Sequence, residues 1–249
     1  MAKIVVFLCN LFSRLFILKT YIVFYIINLD IYVVFRFRGE FMKGAIFDLD
    51  GVIVDTAKYH YLAWREIAKE LGFDFHKSDN ERLKGVSRMA SLEILLEVGG
   101  IKGLSDNEKA NIAEKKNQRY VQMLADLDED EMLPGAKDYL HKLKGEGVKI
   151  ALGSASKNSP LILEKLKIAD LFDAVVDGNS VQKAKPDPEV FLKAAEALKL
   201  KPDECCVFED SQAGIDAALK GGFHTVAVDK DGVLYGYEKR VACLGDLLY

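Results

Sequence analysis

Four apolar residues, Gly44-Ala45-Ile46-Phe47, run directly into Asp48-Leu49-Asp50-Gly51. This junction constrains the chain more than any other segment. In a regular strand, residues two apart point to the same face. Asp48 and Asp50 would then crowd one face, and burying two unpaired carboxylates is costly. Gly51 lets the chain bend, so both acids can be aimed at one point beyond the strand end. That arrangement suits a nucleophilic carboxylate with a proton-transferring carboxylate beside it. The plain alternative is an acidic turn that ends a strand.

From residue 43 onward, short apolar runs alternate with amphipathic stretches. Strands are expected at 44–48, 148–153, 173–177, 204–208 and 224–228, and helices at 135–145, 159–168, 188–199 and 211–220. Strands separated by helices of this length imply βαβ units, hence a parallel sheet with helices on both faces. Right-handed crossovers then gather the loops after the strands along one edge. Asp48, Ser154 and Glu209 fall at such ends.

Between Thr56 and Asp130 there is no strand pattern. Helical periodicity instead runs through 61–68, 91–96 and 106–125. An acidic run, 126–131, and Pro134-Gly135 mark the return to the sheet. The expected fold class is α/β: a doubly wound, Rossmann-like parallel sheet with an inserted all-helical cap. The core would span 42–57 and 131–249, and the cap 58–130. Two linkers joining cap and core suggest hinge motion over the strand ends.

Residues 1–41 differ in kind. They hold ten of the 25 aromatic residues but only two acids, Asp30 and Glu40. A membrane span needs about 20 consecutive apolar residues, and Arg14, Lys19 and Asp30 interrupt this stretch. No small-residue cleavage site follows an uninterrupted apolar core, as a signal peptide would require. The expectation is that Met42 is the natural start and residues 1–41 an extension outside the enzyme. A membrane role is not expected.

A formal net charge of −4 argues against general nucleic-acid binding. The cysteines Cys9, Cys205, Cys206 and Cys243 show no Cys-x-x-Cys spacing, so neither a zinc site nor a disulfide framework is indicated and a cytoplasmic location fits. Cys205 and Cys206 open an apolar run and are expected in the core.

A second acidic pair, Glu209-Asp210, follows Cys206-Val207-Phe208. Adjacent acids after a buried strand must be solvated, cap a helix or be neutralised by a cation. Alone, Asp210 reads as a helix cap, Ser154 as an ordinary hydroxyl, and Lys185, in Ala184-Lys185-Pro186, as a solvated surface charge. Together, the order Asp-x-Asp, Ser, Lys, Glu-Asp resembles the haloacid-dehalogenase-like phosphotransferase superfamily over residues 42–249. The resemblance implies that Asp48 attacks phosphorus and Asp50 handles the proton. It implies that Mg2+ is held by Asp48, Glu209, Asp210 and the backbone carbonyl of Asp50. Ser154 and Lys185 would bind the transferring phosphoryl group, and Gly214 stands at the family's usual position.

The insert narrows the resemblance. Leu83-Lys84-Gly85-Val86-Ser87-Arg88 is similar to the cap loop of the β-phosphoglucomutases, where the arginine grips the phosphate that is not being transferred. Arginine suits that task because its planar fork binds phosphate bidentately. Ser154-Ala155-Ser156-Lys157-Asn158 resembles the mutase loop in which the later Ser, Lys and Asn contact the same distal phosphate. His60, four residues after Thr56, resembles a histidine that aligns the proton-handling Asp, and Lys116 resembles a cap lysine that joins the site on closure. Read alone, Arg88, His60 and Lys116 would be ordinary surface residues. Met89-Ala90 stand where some relatives carry acids, a departure from the pattern, and Trp64 is expected in the cap core.

The resemblance implies interconversion of β-D-glucose 1-phosphate and glucose 6-phosphate through an aspartyl-phosphate enzyme, with β-glucose 1,6-bisphosphate as intermediate and primer. The partners would be small sugar phosphates and the protein a monomer. A sugar-phosphate phosphatase with the same core is the competing enzyme reading, distinguished by having no need of a second phosphate site. A non-catalytic or membrane-tethered binding protein is the reading from a different class. The intact acid set and the interrupted apolar run argue against it.

Overall fold

The computed structural model describes residues 42–83 and 86–249; of residues 1–41 it describes only the backbone of four two-residue strands. The chain divides into two units, Met1–Met42 and Lys43–Tyr249. In the first, Ile26–Ile27 pairs antiparallel with Asp30–Ile31, and Arg36–Phe37 with Glu40–Phe41. The expectation that residues 1–41 are an extension falls largely outside the described residues.

The second unit is built on six parallel strands: β1 (Gly44–Phe47), β2 (Lys149–Gly153), β3 (Ala174–Val176), β4 (Cys205–Glu209), β5 (His224–Val228) and β6 (Lys239–Val241). Their spatial order is β6-β5-β4-β1-β2-β3. Every neighbouring pair is parallel, and Gly44 stands opposite both Lys149 and Cys205. The chain thus winds outward from β1 on one side, then returns to build the other. In such sheets ligands bind beyond the carboxyl ends of the strands where the order reverses. Here that point lies between β1 and β4, so Asp48 and Glu209 meet by topology.

The strands alternate between two helical layers. Ile46 and Val207 pack into a cluster with Val190, Phe191 and Ala194 of α7 (Glu189–Leu198) and Ala217 and Ala218 of α8 (Gln212–Gly221). One residue on, Phe47 and Phe208 point to the opposite face. They stack at 4.5 Å between centroids, and Tyr139 of α5 (Ala136–Gly145) meets both rings edge-on. Such aromatic pairs contribute about 0.5–1.5 kcal/mol beyond their buried area. A single helix, α6 (Ser159–Lys165), follows β2. Cys205 and Cys206 are fully buried, as expected.

Between β1 and β2 lies the helical insert: α1 (Ala57–Glu70), α2 (Lys77–Asn80), α3 (Arg88–Val98) and α4 (Asp106–Met123). Ser87 caps α3, and Ser105 and Glu108 form a capping box on α4. The insert has its own core of Trp64, Ile67, Phe75, Leu92, Leu95 and Ala113. Its entry and exit are clasped together. Leu133 N–H donates to Ile53 O at 2.9 Å, Val54 bridges Met132, and Asp55 N–H donates to Glu131 O at 3.3 Å. No helix among the described residues is long and apolar enough to cross a membrane.

Candidate active site

The loop leaving β1 is fixed at its root, where the Asp48 N–H donates to the Phe208 carbonyl of β4 at 3.0 Å. The chain then turns tightly. Ile53 and Val54 N–H both donate to Leu49 O, and Gly51 N–H donates to Val54 O. Gly51 has φ +82°, and a Cβ there would stand 2.0 Å from Oδ2 of Asp210. Glycine is therefore required twice over, by backbone conformation and by the carboxylate lying against it. Gly214 is required by close approach alone, since the carboxyl carbon of Glu209 would meet a Cβ there at 1.9 Å.

Lys185 is the centre of the site. It is 4% exposed, and its Nζ reaches Oδ1 of Asp48 at 2.6 Å and Oε1 of Glu209 at 2.5 Å. Burial opposes its charge, but the carboxylates of Asp48 and Glu209 outweigh that and hold its pKa above the usual lysine value. The other oxygen of Glu209 accepts from Ser211 N–H at 2.8 Å and Ser211 Oγ at 2.9 Å. Glu209 is thus fully committed within the protein.

Burial pushes the Asp48 carboxyl up to about 6, against the pull of Lys185. Burial and the neighbouring charge of Asp48 push Asp50 up to about 7. Thr56, which immediately precedes α1, donates its hydroxyl to Oδ1 of Asp50 instead of capping the helix. One ammonium therefore faces Asp48 and Glu209 directly with Asp50 nearby, and negative charge is left over.

Among the described residues no three His, Cys, Asp or Glu side chains converge as a ready-made metal cluster. The donor set nevertheless fits a hard divalent cation by chemistry. It offers oxygen ligands only, with the uncompensated charge just described, which is what Mg2+ takes when it keeps waters and a substrate phosphate. Asp48, Asp210 and the Asp50 carbonyl are the groups that could hold it, and Glu209 would have to exchange Lys185 or act through water.

The loop after β2 supplies the next wall. Ser154 is buried, and its Oγ accepts from Ser156 N–H at 3.1 Å. Ser156 Oγ accepts in turn from Asn158 N–H at 3.3 Å. These nested turns present Ala155, Ser156, Lys157 and Asn158 to the cavity. Gly178, which also lines the cavity, braces the loop by donating to Ser156 O at 3.2 Å.

The insert closes the cavity from above. Arg88 opens α3, and its Nη2 donates to Oδ1 of Asn117 at 2.9 Å, while Nη1 lies 3.4 Å from Glu114. Asn158 Nδ2 donates to the same Asn117 oxygen at 3.0 Å. Lys116, buried beside it, reaches His60 Nδ1 at 2.7 Å and lies over the rings of Trp64 and Tyr120. Burial, aided by Arg88, pulls Lys116 down to about 7. Burial, then Lys116 and Arg88, hold His60 well below its usual value, so the ring that faces Lys116 is neutral. Trp64 is buried in the insert core and also borders the cavity.

All these groups line one cavity of about 520 Å3: Asp48, Asp50, Asp210 and Lys185 at the floor, Ser154–Asn158 at the side, and His60, Arg88 and Lys116 above. Glu209 lies behind the floor, reached through Lys185. Gly85 lies outside the described residues. His60 makes no hydrogen bond with Asp50; Thr56 does. Asn117 and Tyr120 were not singled out from sequence. Tyr120 packs on the His60 ring at 4.1 Å between centroids, and the four-residue step from Lys116 on one helix was the available signal.

The model of the haloacid dehalogenase-like hydrolases matches residues 42–222. The chain is 44% identical to β-phosphoglucomutase of Bacillus subtilis over 207 residues, covering 83% of this chain and 92% of that protein. It is 33% identical to the phosphorylated carbohydrates phosphatase of Thermotoga maritima, covering 74% and 84%. The crystal structure of a Clostridium difficile β-phosphoglucomutase superposes with a TM-score of 0.80 at 41% identity, covering 84% of this chain and 94% of that one. The sheet order, the strand-end acids and these matches agree: the chain belongs to the haloacid dehalogenase-like hydrolase family.

Proposed function

We propose that this chain is a β-phosphoglucomutase, interconverting β-D-glucose 1-phosphate and glucose 6-phosphate through β-glucose 1,6-bisphosphate. One observation carries the reading. Arg88, Lys157 and Asn158 line the same cavity as Asp48 and Lys185, so phosphate-grade donors stand at both its floor and its roof. A mutase must hold a sugar with two phosphates in either orientation, whereas hydrolysis of a monophosphate requires only one phosphate site.

In this reading, Oδ of Asp48 attacks phosphorus, the bond from phosphorus to the sugar oxygen breaks, and an aspartyl phosphate remains. Asp50 gives its proton to that departing oxygen. In the return half-reaction Asp50 takes the proton from the sugar hydroxyl as it attacks the aspartyl phosphate. A carboxyl poised near 7 suits both directions at neutral pH. Lys185 and Ser154 bind the transferring phosphoryl oxygens. Arg88, with Ser156, Lys157 and Asn158, binds the distal phosphate. His60 and Lys116 stand beside the sugar and hold the cap over Asp50. Bound Mg2+ supplies charge neutralisation to the phosphoryl group as it meets the acids. Closing the cap excludes water and favours transfer to sugar over hydrolysis.

Residues 58–130 act as the cap and 42–57 with 131–249 as the core, while residues 1–41 stand outside the enzyme. The protein works as a cytoplasmic monomer on small sugar phosphates, primed by the bisphosphate. A coupled assay for glucose 6-phosphate from each glucose 1-phosphate anomer, with and without primer, tests the reading. Primer-dependent turnover of the β anomer is expected; release of inorganic phosphate without glucose 6-phosphate would favour the phosphatase.

A further inference from the structure

Asn117 lies on α4, immediately after Lys116, and takes no part in phosphoryl or proton transfer. Its Oδ1 accepts from Nη2 of Arg88 at 2.9 Å and from Nδ2 of Asn158 at 3.0 Å. The two donors come from opposite sides of the cavity. Arg88 opens α3 in the insert, and Asn158 closes the loop after β2 at the sheet edge. A guanidinium only donates, so the atom facing it must be the amide oxygen. Asn158 must then face that oxygen with its nitrogen. A carbonyl oxygen has two lone pairs, and both are taken.

We infer that Asn117 is a positioning residue. Its amide oxygen holds Arg88 of the insert and Asn158 of the sheet edge at one spacing, so that the distal phosphate meets donors already assembled. The inference rests on the reading of Arg88 and Asn158 as distal-phosphate groups. The residue type supports it: a neutral amide orients the guanidinium without cancelling its charge. A carboxylate in the same place would accept the same two bonds but repel the phosphate. Glu114, three residues earlier on α4, reaches Nη1 of Arg88 only at 3.4 Å and is 56% exposed, so water screens most of its charge. Ser156 braces Asn158 through its backbone N–H, completing the support from the core side. Donors fixed before the ligand arrives lose less freedom on binding.

Equilibrium dialysis of β-glucose 1,6-bisphosphate against the full chain, with EDTA present so that the ligand is not turned over and run as a double-mutant cycle, tests this. Asn117→Ala should weaken binding on the order of tenfold. The same substitution should cost less than about twofold when Arg88 is already alanine, because the group it positions is gone. Losses that simply add in the two backgrounds overturn the inference and point to a general structural role. Asn117→Asp keeps the acceptor shape and should melt close to wild type yet bind the bisphosphate at least as weakly as Asn117→Ala. Wild-type affinity in Asn117→Asp overturns the neutral-amide argument. The fate of the mutase reading is read separately. A wild type that shows the coupling but forms no glucose 6-phosphate sinks that reading and leaves the role of Asn117 standing, whereas no bisphosphate binding at all overturns both.

Discussion

The two walls of the cavity hold their charges differently. At the sheet edge, Lys185 is locked between Asp48 and Glu209 by buried contacts of 2.6 and 2.5 Å. On the insert, Arg88 is half-buried and leans on a neutral amide and an exposed glutamate. Removing one partner of a buried pair costs about 3–5 kcal/mol, whereas an exposed pair contributes roughly 0–1 kcal/mol. The floor is therefore held by buried charge pairs, whereas at the roof only the exposed contact of Arg88 with Glu114 is cheap to give up and Asn117 keeps the guanidinium in place. One wall is held by buried ion pairs and the other by a neutral amide.

The sharpest way to break this division is at the floor. Asp48→Asn should abolish phosphoenzyme formation with Mg2+ and bisphosphate, as read by mass spectrometry of the peptide bearing residue 48. Phosphate on that peptide, without deamidation back to Asp, would sink the assignment. Asp50→Asn comes next, with a loss of about 10²–10⁴-fold in turnover, the usual range for general acid–base catalysis.

The same substitution should reveal what that acid costs the fold. Asp50 titrates near 7 in the native protein and near its ordinary value, 3.8, unfolded. The native state therefore binds more protons across that window, and stability falls as pH rises through it. With EDTA present, Asp50→Asn should melt higher than wild type at pH 8, and the gap should close as pH falls below about 4. A gap that does not change with pH would refute the buried-charge explanation.

At the roof, Arg88→Ala should lower mutase flux by about 10²-fold, corresponding to the loss of two charge-assisted bonds to phosphate. Hydrolysis of acetyl phosphate, which needs only the floor, should fall far less. The ratio of the two activities is the quantity to measure; a parallel fall would place Arg88 in support of the floor and erase the contrast between the walls. The smallest effect belongs to the N-terminal unit. A chain beginning at Met42 should fold and turn over at the full-length rate, and loss of activity would bring residues 1–41 into the enzyme.

The floor was legible in the sequence because each of its parts is contiguous with a buried strand. Apolar runs at 44–47 and 205–208 end in acids, so position along the chain already implied position at the sheet edge. The strand Lys239–Val241 was not legible. It is three residues long, lies at the sheet edge, and only Val241 is buried, so it lacks an apolar run. The single-turn helix Lys77–Asn80 escaped for a similar reason: one turn shows no periodicity. Lys185 was recognised as a site residue, but its grip on both Asp48 and Glu209 depends on strands brought together by winding. Asn117 was hidden most completely, because its meaning lies in two partners, 29 and 41 residues away, that only the closed cavity brings together.

The clasp at the base of the insert has a consequence for how such enzymes diversify. Ile53 with Leu133, Val54 with Met132, and Asp55 with Glu131 close the insert into a loop whose two ends are already tied. Everything between them can be lengthened, shortened or replaced without disturbing the register of β1 against β2 and β4. The clasp is a splice point. A helical segment from a related phosphatase could be grafted there as a cassette, and the recipient would keep phosphoryl transfer to Asp48 at the floor while exchanging the second phosphate site at Arg88 for the donor's specificity.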